Sequence, residues 1–318
     1  MDINIGNINA LTTRVNLAFN KYIETVDTHY QPFTMVVPSS AGENLYPRLM
    51  ELPGFREWFG QRVVHRIGEE GRISVANRTF EQTFSIRRED IEDDQMGFLT
   101  PIVQQLASDA ASLPDKLIFE LLENGHKNRG MDGQYFFDPD HEAYDQTGTL
   151  TAFSNIMRPA SGEATTAAWY LFNTRQPMKP MIFQNRRKFV IQARTQLQQG
   201  NVFNGNEFVW GADGRCAAGY GLHNFAFRST APLTAENLGK AIGQMQAQYR
   251  RDGTPYNTRP DMIFVPTSLE GPARQLIEKD FLPTLAPDGK TYVTGSNPWS
   301  RTAKLVVCPY LNPLAVSE

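Results

Sequence analysis

The 318-residue sequence is poor in cysteine and histidine, with two and five respectively. Cys216 and Cys308 have no metal-type spacing, so free thiols in a reducing compartment are predicted. No stretch approaches the roughly 20 apolar residues of a membrane span, and residues 1–15 contain no apolar signal-peptide core. The formal net charge of −3 argues against a dedicated nucleic-acid binder. We therefore expect a soluble globular protein without export or membrane signals of its own.

Lysine is absent between residues 49 and 97, where seven arginines occur. The planar guanidinium pairs bidentately with carboxylates, so arginine suits fixed contacts between chains better than lysine does. A chance bias in a short segment also explains the pattern, and composition alone slightly favours chance. If the bias is functional, four side chains are the candidates for ion pairs between chains: Arg62, Arg66, Arg72 and Arg78.

Residues 1–40 predict an arm with little core of its own. Leu11, Val15 and Tyr22 recur at near-helical spacing, and the apolar run Phe33–Val37 follows as an extended piece. Such a short helix and strand need a surface elsewhere to dock on.

Residues 55–95 predict a long β-hairpin that reverses at Gly68–Gly71. Its apolar alternation changes parity around Ala76–Arg78, which indicates a bulge or twist. Because an isolated two-stranded ribbon is marginal in water, we expect a neighbouring chain to hold it. The acidic run that follows, Arg87–Asp94, favours a helix N-terminus over a metal site, because consecutive residues converge poorly on one ion.

The strongest helix signal covers residues 100–124, with Thr100 as N-cap, Pro101 at the first position and Gly125 as the stop. Apolar residues recur every three or four positions, forming one stripe: Leu99, Ile102, Leu106, Ala110, Leu113, Leu117 and Leu121. Pro114 interrupts this pattern, so a kink or a helix restart is predicted there.

The second half of the chain predicts an α+β organisation. A strand-rich block covers residues 178–228 and precedes a clear α/β unit, in which Thr234 caps a helix that ends at Gly253. The strands Met262–Val265 and Leu305–Cys308 flank a second helix, and a long loop is predicted over residues 282–299.

No catalytic, cofactor or metal site is predicted. His141 beside Asp138 and Asp140 is a weak metal pattern, and Pro139 indicates ordinary turn chemistry there. The other histidines show no motif spacing: His29, His65, His126 and His223. The glycine-rich run 211–221 lacks the Gly-Lys-Ser/Thr and Gly-x-Gly-x-x-Gly patterns of phosphate sites. The basic run 184–188 suits either DNA phosphates or a solvated strand edge.

Many short motifs in one order resemble the major head subunit of Mu-like phages over nearly the whole chain. The residues that carry the resemblance are Met35-Val-Val, Ser39-Ser40, Glu57-Trp58, Ser74-Val-Ala-Asn77, Thr79-Phe-Glu81, Glu92-Asp-Asp94, Pro114-Asp115, Leu117-Ile-Phe119, Leu121-Leu122, Asp132-Gly-Gln134, Phe136-Phe-Asp138, Lys179-Pro180, Ile182-Phe-Gln184, Arg186-Arg-Lys188, Asn206-Glu-Phe208, Ala217-Ala-Gly-Tyr-Gly221, Leu305-Val-Val307 and Tyr310-Leu311. No single motif is diagnostic, but the ordered set is specific.

The resemblance implies the Hong Kong 97-type capsid fold and a non-enzymatic role in a phage head. Residues 1–40 would be the N-terminal arm, 41–96 the extended loop and its flanks, 97–230 the peripheral domain with the spine helix, and 231–318 the axial α/β domain. The implied partners are other copies of the chain in pentamers and hexamers, portal and scaffold proteins, a decoration protein, and double-stranded DNA. Assembly in the host cytoplasm is implied, without a membrane.

Two departures from the type member are visible. Its returning peripheral strands come last, whereas block 178–228 here precedes the axial-type unit; either the order is permuted or one block is misassigned. Its shell is welded by isopeptide bonds from a loop lysine, and this loop has none, so a non-covalent shell is predicted. The alternatives are an encapsulin-like nanocompartment and a soluble metal-dependent hydrolase that uses His141.

Overall fold

The computed structural model describes residues 3–47, 58, 60, 72–93, 99–198, 200–285 and 292–312. The helices in this part of the chain are α1 (Ile5–Ile23), α2 (Arg88–Glu92), α3 (Leu99–Glu123), α4 (Gly200–Gly205), α5 (Ala235–Gln246) and α6 (Glu270–Glu278). The strands are β1 (Thr34–Pro38), β2 (Glu43–Pro47), β3 (Arg72–Ala76), β4 (Arg78–Arg87), β5 (His141–Tyr144), β6 (Leu150–Phe153), β7 (Ile156–Met157), β8 (Trp169–Phe172), β9 (Met181–Arg194), β10 (Glu207–Tyr220), β11 (Ala226–Ser229), β12 (Met262–Val265), β13 (Phe281–Leu285), β14 (Tyr292–Ser296) and β15 (Lys304–Val307).

A four-stranded sheet in the order β1-β9-β10-β4 carries two helices. Leu11 and Val15, predicted on the apolar face of α1, lie buried in one cluster with the first half of α3 and with Phe208 and Trp210 of β10. Tyr22 of the same predicted face is exposed, and Ile8 and Phe19 complete the buried stripe instead. The helix of the predicted arm therefore docks on its own chain. Its Asn4 N-cap accepts from the backbone N–H of Asn7, which fixes where the helix begins.

A five-stranded sheet in the order β15-β12-β8-β11-β7 forms the second layer. Helices α5 and α6 bury their apolar faces against it, and Thr234 caps α5 as predicted, since its side chain accepts from the backbone N–H of Asn237. A central cluster joins the second half of α3 to both sheets. Phe33, fully buried at the start of the arm strand, stacks on Phe172 of β8 with ring centroids 4.4 Å apart.

Helix α3 runs unbroken from Leu99 to Glu123 with Pro114 in its interior. The expected restart is therefore wrong, while a bend at Pro114 stays a prediction. Thr100 is also wrong as the N-cap, because the helix begins one residue before it. Ile102, assigned to the buried stripe, is 40% exposed, and Val103 faces the core instead.

The predicted ribbon is divided between two sheets in its described part. The reversal at Gly68–Gly71 lies outside the described residues. Strand β3 pairs antiparallel with β2, and β4 pairs antiparallel with β10. Asn77 separates β3 from β4, so the change of apolar parity marks the point where the chain leaves one sheet for another. The acidic run begins helix α2, as predicted, with Glu89 and Asp90 in its first turn.

The block 178–228 contributes to both layers. Strands β9 and β10 lie in the sheet that packs on α3. Strand β11 joins the five-stranded sheet with β7 and β8, so that sheet draws strands from both sides of residue 230. The four-part domain division stays a prediction.

Both cysteines are free, as expected, and both are buried. Burial raises the pKa of the Cys216 thiol to about 11 and that of Cys308 to about 12. None of the helices in the described residues has the length and apolar character that a membrane crossing requires.

Candidate functional site

Large apolar side chains are exposed at many points of the described residues. Those at least 49% exposed lie on α1, β1, β2, β6, β9, α4, β13 and β14 and between β2 and β3: Ile5, Leu17, Val36, Leu45, Trp58, Leu150, Val190, Phe203, Phe281 and Val293. Single exposed apolar residues are ordinary, but ten of them give a subunit several surfaces on which another chain could pack.

Strand β4 forms an outer edge of the four-stranded sheet over ten residues. One side of β4 pairs with β10, and its other side is unpaired within the described residues. Arg78, at its first position, is exposed and lies over the ring of Phe80 at 5.2 Å from the centroid. An unpaired edge with a cation at its start is suited to contact with another chain.

The other predicted arginines are placed less fully. Arg62 and Arg66 lie outside the described residues, and Arg72 is defined only as the first residue of β3. The structure therefore locates Arg78 alone. Of the basic run on β9, Arg187 pairs with Asp213 of β10, while Arg186 and Lys188 are exposed.

The segment predicted as a loop over residues 282–299 contains part of a hairpin instead. Strands β13 and β14 pair only with each other in the described residues. Phe281 is 65% exposed and Val293 49% exposed. Because a two-stranded hairpin gains little stability by itself, this projection is a second surface suited to a neighbouring chain.

A buried carboxylate on α3 holds the arm. Asp115 is 2% exposed, and its oxygens accept from the backbone N–H of Tyr30 at 2.8 Å and of His29 at 3.0 Å. These bonds fix the point where the arm leaves α1 for β1. Sequence reasoning missed this residue, because bonds to backbone groups leave no pattern in the partner's sequence.

The environment of Asp115 opposes its ionisation. Burial raises the pKa of Asp115 above its ordinary value, and the N–H donors of His29 and Tyr30 lower it by less. The folded chain therefore binds this proton more tightly than the unfolded chain does.

Two histidines that are far apart in the sequence meet in a buried cluster with an aspartate. The imidazoles of His141 and His223 are stacked, with centroids 3.7 Å apart and planes 4° from parallel. Asp132 Oδ2 lies 2.7 Å from Nδ1 of His141 and 3.6 Å from Nδ1 of His223. The carboxylate that bonds to His141 is thus Asp132, and not Asp138 or Asp140 of the weak metal pattern considered from the sequence.

The charge on Asp132 is fixed by these neighbours. Its burial would raise the pKa, but the hydrogen bond from His141 and the charges of His223 and His141 lower the pKa of Asp132 to about 2. The side chain of His141 is 0% exposed, that of His223 is 2% exposed and that of Asp132 is 4% exposed. The cluster is therefore almost completely shielded from solvent, although Asp132 also borders a surface pocket lined by Gln134 and Glu142.

Comparison with known proteins gives a consistent result over almost the entire chain. Residues 8–311 match the family described as Mu-like prophage major head subunit gpT. The chain is 38% identical to the major capsid protein of Escherichia phage Mu over 314 residues, which cover 98% of this chain and 100% of the relative. It is 35% identical to the Mu-like prophage FluMu major head subunit of Haemophilus influenzae over 309 residues, covering 96% and 97%.

Solved structures of bacteriophage JBD30 share the fold. The procapsid subunit superposes with a TM-score of 0.81 at 33% identity, covering 97% of this chain and 100% of that one. The JBD30 capsid gives a TM-score of 0.74 at 26% identity, covering 98% and 100%. The JBD30 capsid decorated with minor capsid protein trimers gives 0.71 at 26% identity, covering 94% and 93%.

We expect Asp115→Ala to lower the free energy of unfolding by about 2–3 kcal/mol, because two buried N–H groups lose their acceptor. Hydrogen exchange at residues 24–33 should increase at the same time. Asp109→Ala is the matched control on the exposed side of the same helix and should cost about 0.5 kcal/mol or less. Equal losses in the two variants would show that Asp115 does not anchor the arm.

Asp115→Asn keeps an oxygen acceptor but does not titrate. In the wild type, the raised pKa of Asp115 makes the free energy of unfolding decrease as pH rises from the ordinary aspartate range through the folded-state pKa. This decrease should be absent in Asp115→Asn when urea unfolding is measured across that range. A decrease that persists in the variant would assign the effect to another group.

Proposed function

The chain belongs to the family of Mu-like prophage major head subunits, which are major capsid proteins of tailed phages with the Hong Kong 97-type fold, and from this premise we propose how it assembles. Copies of the chain associate as pentamers and hexamers and close into an icosahedral head around double-stranded DNA. Each subunit contributes many weak contacts, which add up in a closed lattice while each remains reversible enough to correct errors.

The observation that carries this proposal is the match to the JBD30 procapsid subunit over 97% of the chain. A subunit that shares its fold and a third of its residues with a shell protein presents comparable surfaces. The exposed apolar residues on the arm, on α4 and on the β13–β14 hairpin support the same proposal. The similarity to phage head proteins favours a phage head over an encapsulin-like compartment.

The proposed partners follow from the head structure. JBD30 capsids carry minor capsid protein trimers, and we propose a comparable decoration protein for this shell. Portal and scaffold proteins, and assembly in the host cytoplasm, complete the proposal. Arg186 and Lys188, exposed on β9, are the candidates for weak contact with DNA phosphates.

Electron microscopy of the purified protein tests assembly directly. We expect shells, or capsomers that convert to shells when concentrated, because the assembly contacts lie on the subunit itself. On a denaturing gel the shells should give one band near 35.9 kDa, since no loop lysine is present for an isopeptide link. A uniform small oligomer would contradict the proposed function, and a ladder of covalent multimers would contradict the non-covalent shell.

Arg78 tests the proposed ion pairs, for which Arg62, Arg66 and Arg72 are the other candidates. Arg78→Glu reverses an exposed charge on the edge of the sheet and should reduce the yield of shells several-fold, whereas Arg78→Lys keeps the charge and should have a smaller effect. A single exposed ion pair contributes about 0–1 kcal/mol, but it is repeated at every contact. Arg259→Glu, at an exposed arginine outside this segment, is the control. Equal yields from Arg78→Glu and Arg259→Glu would remove Arg78 from the contacts.

Pro114 is the proposed point of bending between procapsid and expanded shell. Proline lacks the N–H that would bond to the carbonyl of Ala110, so α3 is weakest at this turn. Pro114→Ala restores that bond, and shells should form normally but expand more slowly, as followed by time-resolved light scattering. Lys116→Ala, a change at an exposed position two residues further along the helix, should leave the rate unchanged. Expansion of Pro114→Ala at the wild-type rate would place the bend elsewhere.

A further inference from the structure

The stacked histidines join three separate segments of the chain. Asp132 lies in the connection after α3, His141 is the first residue of β5, and His223 begins the short turn before β11. The tip of the β5–β6 hairpin is held separately, since Gln146 donates to the hydroxyl of Tyr249 at 2.9 Å. The cluster therefore fixes the root of the hairpin that spans residues 141–153.

The stacked geometry does not suit a metal ion. A zinc ion lies about 2.0–2.1 Å from a histidine nitrogen, in the plane of the ring, where the lone pair points. The planes of His141 and His223 are 4° from parallel with centroids 3.7 Å apart. Two lone pairs in parallel planes at that separation cannot converge on one ion, so the cluster is better suited to protons.

The charges in the cluster can balance one additional proton on the histidine pair, whereas a second additional proton is unfavourable. Asp132 brings a single negative charge and lies against both Nδ1 atoms. When His141 donates from Nδ1 to this carboxylate, a neutral ring carries only a lone pair at Nε2. That Nε2 is buried and has no hydrogen-bond partner among the described residues. A proton added there would create a buried donor without an acceptor, beside a second cation.

Other carboxylates lie on the elements next to the cluster, and Asp140 interacts electrostatically with His141. The turn before β5 carries Asp138 and Asp140, and β5 carries Glu142; Asp140 and Glu142 are exposed, so water screens their charge. Asp138 accepts from the backbone N–H groups of Tyr135 and Asp140. Strand β6 and the turn at 223–225 bring no charged side chain apart from His223.

We propose that Asp132, His141 and His223 form a proton-limited clasp on the β5–β6 hairpin. The clasp is closed while the histidine pair carries at most one added proton. It opens when both imidazoles are protonated, because two parallel imidazolium rings with centroids 3.7 Å apart then repel each other in a buried site. Opening releases the root of residues 141–153, while Tyr249 still holds the tip. The clasp is a property of the folded subunit and does not depend on the proposed assembly.

Hydrogen–deuterium exchange of the full-length protein tests the clasp. After correction for the intrinsic rates, the opening constant of amides in residues 141–153 should rise about eightfold between about pH 6.5 and pH 5, and most steeply at the acid end, because the open state binds one more proton than the closed state only once both exposed imidazoles are protonated. In His223→Asn, an amide replaces the second titrating ring, and the opening constant should change by less than about twofold over the same range. His126→Gln, the matched histidine control, should retain the wild-type rise.

A second variant gives an independent answer if His223→Asn does not fold. Asp132→Asn removes the negative charge that balances the first proton added to the histidine pair. Binding of that proton is then already unfavourable in the closed state, so opening should begin at a higher pH than in the wild type. Two results would overturn the clasp: a wild-type opening constant that does not depend on pH, or equal slopes in the wild type and His223→Asn. Protection by one equivalent of zinc that both variants lose would also overturn it, in favour of a metal site.

Discussion

The burial of helix α3 against two different hydrophobic clusters is the constraint on which the rest of the subunit depends. Its first half packs on α1 and the four-stranded sheet, and its second half lies in the central cluster with strands of both sheets. One continuous helix thus sets the relative placement of the two layers. Asp115, near the junction of these halves, attaches the arm to the same helix. A bend in α3 would therefore be transmitted to both layers and to the arm.

The local periodicities of the sequence were sufficient to predict part of this arrangement. Thr234 and the apolar spacing of α5 identified the C-terminal unit, and the stripe on α3 identified the long helix. In these elements the signals come from residues within a few turns of one another, where capping and amphipathicity act. The family resemblance supplied the overall fold, which spacing alone did not.

The features that were missed depend on contacts between distant segments. Strand β3 pairs with β2 across residues outside the described part of the chain, and β13 and β14 form a hairpin where a loop was expected. Strands β6 to β10 lie between His141 and His223 in the chain, so no spacing rule brings the two histidines together. The burial of Asp115 was not predicted, because an aspartate in an amphipathic helix is normally assigned to the exposed face. Only its bonds to the backbone of the arm distinguish it from an exposed residue.

The pairing of β1 with β9 also affects how long a newly made chain takes to reach its folded state. This parallel ladder joins Thr34 to Met181, and the second sheet joins Ile156 of β7 to Arg228 of β11. Contacts between residues so far apart in the chain slow folding. The long intervening segment loses conformational entropy before the hydrogen bonds of either strand pair can form. Newly synthesised chains therefore pass through a period in which apolar surface is exposed but the lattice contacts are incomplete. A subunit is therefore complete only after these distant segments of the chain have paired.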